Sequence, residues 1–283
     1  MKFFGYNNKI LRGNSMDTKF SIADLKKQIA ISSNSNSPDL EITLCHSGRN
    51  VLVKPLKVKE KKEFLKSLES KNEILINRVL DDIIESYVIP SDGNEFNHKE
   101  LPTQERHQIL VYIRAANGDE KAKIAHQCPK CEKVTRDIEY AISKDSYVKN
   151  YEEPKDGKVI KICNGKVELH YDVVFRHEEM EVEEYIKKHK LKTRSEHQFA
   201  MIAASIKDIF FVTDEKGSTV RVDIKSFEDK MAFIEDLDSK EFTIITDAIG
   251  NLDFGVKMPF DFKCEHCDYE SKEEVNVTVF FIS

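Results

Sequence analysis

Two C-x-x-C pairs, Cys128-Pro-Lys-Cys131 and Cys264-Glu-His-Cys267, constrain this chain more than any other feature. Two thiolates held by one tight turn can grip a single metal ion and leave two of its four positions open; a second such knuckle closes the tetrahedron. The difficulty is separation. Cys131 and Cys264 lie 133 positions apart, whereas the knuckles of a compact ribbon are about 15–20 residues apart. A fold that uses both pairs must bring two remote turns face to face.

The first twelve residues, Met1 to Arg12, lack the apolar run and small-residue cleavage site of a secretory signal. In a reducing compartment a disulfide framework is not expected, and paired C-x-x-C reads first as a metal site. The leading expectation is one structural zinc per chain on Cys128, Cys131, Cys264 and Cys267. Four thiolates leave no open position for water, so such a zinc holds structure and does not catalyse. Two rivals stand beside it. Thioredoxin-type redox chemistry needs a C-x-x-C at a helix N-terminus, and here each pair sits between strand-like segments with no following helix. The other rival is a set of unligated buried thiols. His126 and His266 flank or enter the knuckles and read as surface residues of the turns. Cys45 and His46 are adjacent on a strand and point to opposite faces, so they make no nucleophile–base pair. Cys45 and Cys163 read as small core residues.

The 283 residues give room for two domains, and 40% hydrophobic content allows a core. Charged residues reach 33% and the net charge is −6. That balance argues against non-specific nucleic-acid binding, which needs a basic face. No stretch approaches the roughly 20 apolar residues of a membrane helix. Residues 1–38 read as an arm ending in the polar linker Ile31–Pro38. Its Ile22, Leu25 and Ile29 could form one helical face, which either docks on a partner or stays disordered.

From Leu40 the pattern is mixed α+β. A hairpin (Leu40–Cys45, Val51–Val53) precedes helices at Lys59–Leu68 and about 74–84, and a third from Pro102 to Asn117-Gly118. Strands flank the first knuckle. A second hairpin spans Val159–Cys163 and Val167–Phe175, with Asn164-Gly165 as an expected type I′ turn. Helices follow at about 178–189 and 195–209, a β pair at 209–212 and 219–222, then helices 226–237 and 239–252. The second knuckle comes next, with a last strand at 274–282. The segments 39–150 and 151–283 thus show the same order: hairpin, helices, strand, C-x-x-C, strand. Thr103–Asp119 aligns with Ser239–Val256, and Ala125–Tyr140 with Asp261–Val277. An internal duplication would set the knuckles together, although such an order also arises by chance.

Other runs read plainly. Glu178–Glu184 holds five glutamates in seven residues and reads as a solvated face at a helix start. Lys54–Lys66 carries six lysines with Glu60 and Glu63 between them, and no aromatic platform for bases. No P-loop, G-x-G-x-x-G, G-x-S-x-G or H-E-x-x-H is present, so no enzyme is expected.

Several stretches resemble a known family. They are Val53-Lys-Pro-Leu-Lys-Val-Lys-Glu60, Asp81-Asp-Ile-Ile-Glu-Ser86, Leu101–Gly118, Phe233–Glu241, and the run from Cys264-Glu-His-Cys267 to Val279-Phe-Phe281. Over roughly 40–283 the chain is similar to the baseplate hub and hub-assembly family of T-even-like contractile-tail bacteriophages. The usual glycine after each knuckle is replaced by Glu132 and Asp268, which weakens the ribbon geometry slightly because glycine accepts positive φ freely. The resemblance implies a virion structural or assembly protein of the phage tail, not an enzyme. Its partners would be other baseplate hub and tail proteins, and it would pass through the host cytoplasm during assembly. The competing reading is a cellular zinc-ribbon adaptor in transcription or RNA handling. Asp261, Glu265, Asp268, Glu270, Glu273 and Glu274 around the second knuckle speak against a nucleic-acid reader.

Overall fold

The computed structural model describes residues 39–275 except 71, 118–120, 142–145, 156, 214–217 and 225. The arm and the C-terminal part of the expected last strand lie outside the described residues.

Alternating apolar residues build the first sheet. β1 (Leu40–Thr43) and β2 (Asn50–Val53) form an antiparallel hairpin, and α1 (Val58–Glu69) and α2 (Glu73–Tyr87) lead into β3 (Val88–Pro90), which pairs with β2. The core here gathers Ile42, Val51 and Val53 from the strands with Phe64, Leu68, Leu80 and Ile84 from the helices. α3 (Thr103–Ala116) packs into the same core through Ile109, Leu110 and Ile113. Its Val111 faces the other way, into a second core beneath the knuckle hairpins. α3 therefore ties the sheet to the cysteines.

The first knuckle hairpin is β4 (Lys121–Gln127) and β5 (Val134–Ala141), followed by the short β6 (Tyr147–Lys149). The next sheet repeats the opening pattern. β7 (Val159–Ile162) and β8 (Val167–Tyr171) form a hairpin; α4 (Arg176–His189) and α5 (Arg194–Ser205) follow; β9 (Ile206–Val212) returns beside β8. An extra strand, β10 (Thr219–Arg221), extends this sheet; α6 (Phe227–Glu235) packs on α4 and α5, and α7 (Ser239–Gly250) packs on β7 and α5. β11 (Gly255–Lys257) pairs with β6, and β12 (Pro259–Lys263) with β13 (Glu270–Glu274) carries the second knuckle. At Gly255, with φ +101°, an added Cβ would stand 3.0 Å from the Cβ of Gln104, so α3 presses directly on this strand.

Two local expectations are corrected. The hairpin turn at Asn164-Gly165 is not a two-residue type I′ turn. The ladder stops at Ile162–Val167, and Cys163, Asn164 and Gly165 take three successive left-handed conformations. Glu241 on α7 takes the Cys163 N–H at 3.0 Å, which draws that residue out of the ladder. The helix expected to reach 209 ends at Ser205, where the β-branched and aromatic run from Ile206 goes straight into strand.

Candidate metal centre

Each C-x-x-C sits at the tip of an antiparallel hairpin, as the flanking alternation requires. The registers match: His126 opposes Thr135 and Gln127 opposes Val134, while Phe262 opposes Ser271 and Lys263 opposes Glu270. In both turns the first cysteine donates its N–H to the carbonyl five residues on, Cys128 to Lys133 at 2.9 Å and Cys264 to Tyr269 at 3.0 Å. Glu132 has φ 59° and so adopts the left-handed geometry that a glycine would serve; Asp268 has no positive φ. The missing glycine therefore bears on the first knuckle only, where the Glu132 N–H bonds the Cys128 carbonyl at 2.8 Å.

The two tips meet. Cys128 Sγ lies 3.7 Å from Cys267 Sγ and Cys131 Sγ lies 3.6 Å from Cys264 Sγ, with all four sulfurs within 4.8 Å of one another. A tetrahedral zinc with bonds of about 2.3 Å would set its sulfurs about 3.8 Å apart. The sulfurs are thus close enough to hold one ion, and the arrangement is compatible with zinc. Among the described residues this is the one group of three or more ligand-type side chains at such distance. Cys128 and Cys264 are buried, and Phe260, Phe262, Ile138 and Tyr269 pack around the cluster. Burial opposes charge on Cys264, but the His266 N–H, 3.4 Å from its sulfur, and the neighbouring thiols outweigh it and bring the thiol down to about 6.

Neither histidine joins the sulfurs. His266 is exposed. His126 departs from its expected surface position: it is half-buried, its ring 4.5 Å from that of Phe262, with Nε2 3.9 Å from Glu273. Cys45 is buried as expected, its thiol pushed up to about 12 by burial and by Glu105. Cys163 is half-buried at the edge of the core around β7–β9. The lysine run 54–66 is mostly solvated, as read.

The glutamate run 178–184 is not a simple solvated face. Glu179 is 6% exposed and its Oε2 accepts from Arg106 Nη1 at 2.5 Å. Arg176 lies against Asp81 at 2.8 Å and Glu183 at 2.6 Å, and Arg106 also reaches Asp81 at 3.0 Å. Burial pushes the Glu179 carboxyl up, against the pull of Arg106 and of the Thr103 hydroxyl. This cluster joins α2 and α3 to α4. The spacing of Arg176, Glu179 and Glu183 on one helical stripe was its only trace in the sequence. A second unexpected residue is Glu105, fully buried on α3. It accepts from the His46 and Ser47 N–H groups, both at 2.7 Å, and from the Ser47 hydroxyl. Gln108 beside it accepts the Cys45 N–H at 2.9 Å. Glu241 does the same work for Cys163 from α7.

Fold and site together define a mixed α+β protein whose two knuckle hairpins close around a four-sulfur cluster. The family model of T4 bacteriophage base plate protein matches residues 37–281, and the chain belongs to that family. It is accordingly a T4-like phage baseplate protein of the virion tail, a family with structural roles whose members interact with other tail proteins. No curated protein and no solved structure matches it. No helix among the described residues is long and apolar enough to cross a membrane.

Proposed function

We propose that this chain is a structural or assembly component of the baseplate hub, acting through protein–protein contacts and without catalysis. In this reading Cys128, Cys131, Cys264 and Cys267 hold one structural zinc, and residues 39–150 and 151–283 are two copies of one ancestral unit joined through it. The observation that carries it is the fit of two equivalent knuckles to a single tetrahedral ion. Position by position, an interval of 136 relates Thr103 to Ser239, Glu105 to Glu241, Cys128 to Cys264 and Cys131 to Cys267. The two short sulfur contacts, 128–267 and 131–264, exchange under the same relation and differ by only 0.1 Å. Glu105 and Glu241 each stand third in the helix before their knuckle, and each holds the hairpin turn of its own half. The arm 1–38 lies almost wholly outside the family match and is read as a docking segment for a neighbouring tail protein.

The test has two parts. Elemental analysis of the purified full chain should give one zinc per chain; none, or two, contradicts the metal reading. Hub-particle assembly with and without the protein then tests its place. Normal hubs in its absence, or stable capture of nucleic acid but no tail protein, would favour the zinc-ribbon adaptor instead.

A further inference from the structure

The repeat makes one asymmetry informative. α1 and α4 are the equivalent first helices, each beginning shortly after its hairpin. An interval of 118 relates Phe64 and Leu68 to Val182 and Ile186, and these are the residues through which each helix meets its own core. The adjoining stripe is treated differently in the two halves. On α4 it carries Arg176, Glu179 and Glu183, closed over by Arg106 and Asp81 from the other half. On α1 the same three positions hold Val58, Lys61 and Leu65, and this stripe faces solvent, with Val58 84% and Leu65 38% exposed.

The receiving side has changed in step. The counterpart of Arg106 at the interval of 136 is Phe242 on α7. Its ring stacks at 4.7 Å on that of Phe199 of α5, which is 37% exposed. So one contact between halves is ionic and made inside the chain. Its counterpart has lost most of its charge: Val58 and Leu65 flank Lys61 on one side, and on the other the exposed Phe199 stands beside the half-buried Phe242. Exposed apolar side chains scattered singly need no explanation. Two of them at positions that a repeat marks as interacting do.

We propose that these two surfaces meet between copies: α1 of one molecule, through Val58 and Leu65, docks on the Phe199–Phe242 corner of the next. The occupant is a second copy because the fold already shows the matching elements, first helix against α2–α3, docked in this way. The stripe is an implausible nucleic-acid site, since Glu60, Glu63 and Glu69 break up the lysines of α1 and no aromatic platform lies on it. Such a contact joins two different patches, so it is heterologous and builds a ring or an open chain, not a closed pair.

The inference rests on the duplicated reading above. Its test is sedimentation velocity of the full-length, zinc-loaded chain over a wide concentration range. Association beyond a dimer is expected for the parent. Leu65→Asp with Val58→Asp should abolish it, and so should Phe199→Asp; each alone should sediment as a monomer. Mixed, the two variants retain one good surface each and should form a dimer and nothing larger. A parent that stays monomeric, variants that associate like the parent, or a mixture that stays monomeric would each overturn the contact. Zinc at one per chain and an unchanged circular dichroism spectrum in the variants would place that failure in the contact and leave the repeat standing.

Discussion

The four-sulfur centre and the Arg106–Glu179 cluster both bind the N-terminal part of the chain to the C-terminal part, and they do so by opposite means. The sulfur centre is built from equivalent residues on equivalent turns, each positioned by the same backbone bond. The ionic cluster is built from unlike residues: Arg176, Glu179 and Glu183 on one side and Asp81 and Arg106 on the other. A symmetric joint can be served by a short local motif written twice. An asymmetric one needs side chains from three helices to converge, and gains specificity from a buried pair that is costly to leave half made.

The largest effects are expected at the sulfurs. Ligation by four thiolates contributes folding energy directly, on the order of 10 kcal/mol or more in zinc-finger peptides. Cys264→Ser and Cys128→Ser should therefore each unfold much of the chain, to a similar degree, as seen by thermal melting and hydrogen exchange. A mild effect of one and a severe effect of the other would deny the equivalence of the knuckles.

The ionic cluster should come next. Glu179→Ala leaves Arg106 buried without its nearest carboxylate and should cost about 3–5 kcal/mol. Adding Arg106→Met to Glu179→Leu should recover most of that loss in a denaturant titration, since a buried pair replaced by apolar groups is often neutral. No recovery would mean that the cluster holds the halves in a way packing cannot replace.

The two turn-holding glutamates should differ from each other in turn. Glu105 accepts three hydrogen bonds, whereas Glu241 accepts the Cys163 N–H. Bonds to a charged acceptor contribute about 1.5–3 kcal/mol, so Glu105→Gln should destabilise more than Glu241→Gln. Equal effects would show that the second half leans on its helix as heavily as the first.

The smallest effect expected is at His107. Burial, with Arg106 beside it, pushes this imidazole down to about 4 from an ordinary value of 6.5. The unfolded chain then binds more protons between those values, so stability falls as pH drops from about 6.5 towards 4. His107→Gln should flatten that part of the stability profile. An unchanged slope would assign the acid sensitivity to other groups.

Much of this could be read from the residues because much of it is local. The knuckles declare themselves by spacing, and the helix and strand order by periodicity of apolar positions. The first hairpin and the helix from Pro102 came out close to their expected bounds. What escaped depends on distant partners. Nothing around Cys163 signals that Glu241 will pull its N–H from the ladder. Glutamates at a helix start look solvated until Arg106, more than seventy positions earlier, is known to face them. His126 looked like a turn residue because Phe262, its ring partner, comes from the other knuckle.

The separation of the two knuckles has a consequence in time. A nascent chain exposes Cys128 and Cys131 long before Cys264 and Cys267 exist, with Cys264 still 133 positions further along the chain. At about 5–20 residues per second, the first pair waits on the order of ten seconds with its partner turn still unmade. Through that interval the earlier turn is open to oxidation or to a stray ion. The later knuckle therefore decides whether the earlier one is sealed.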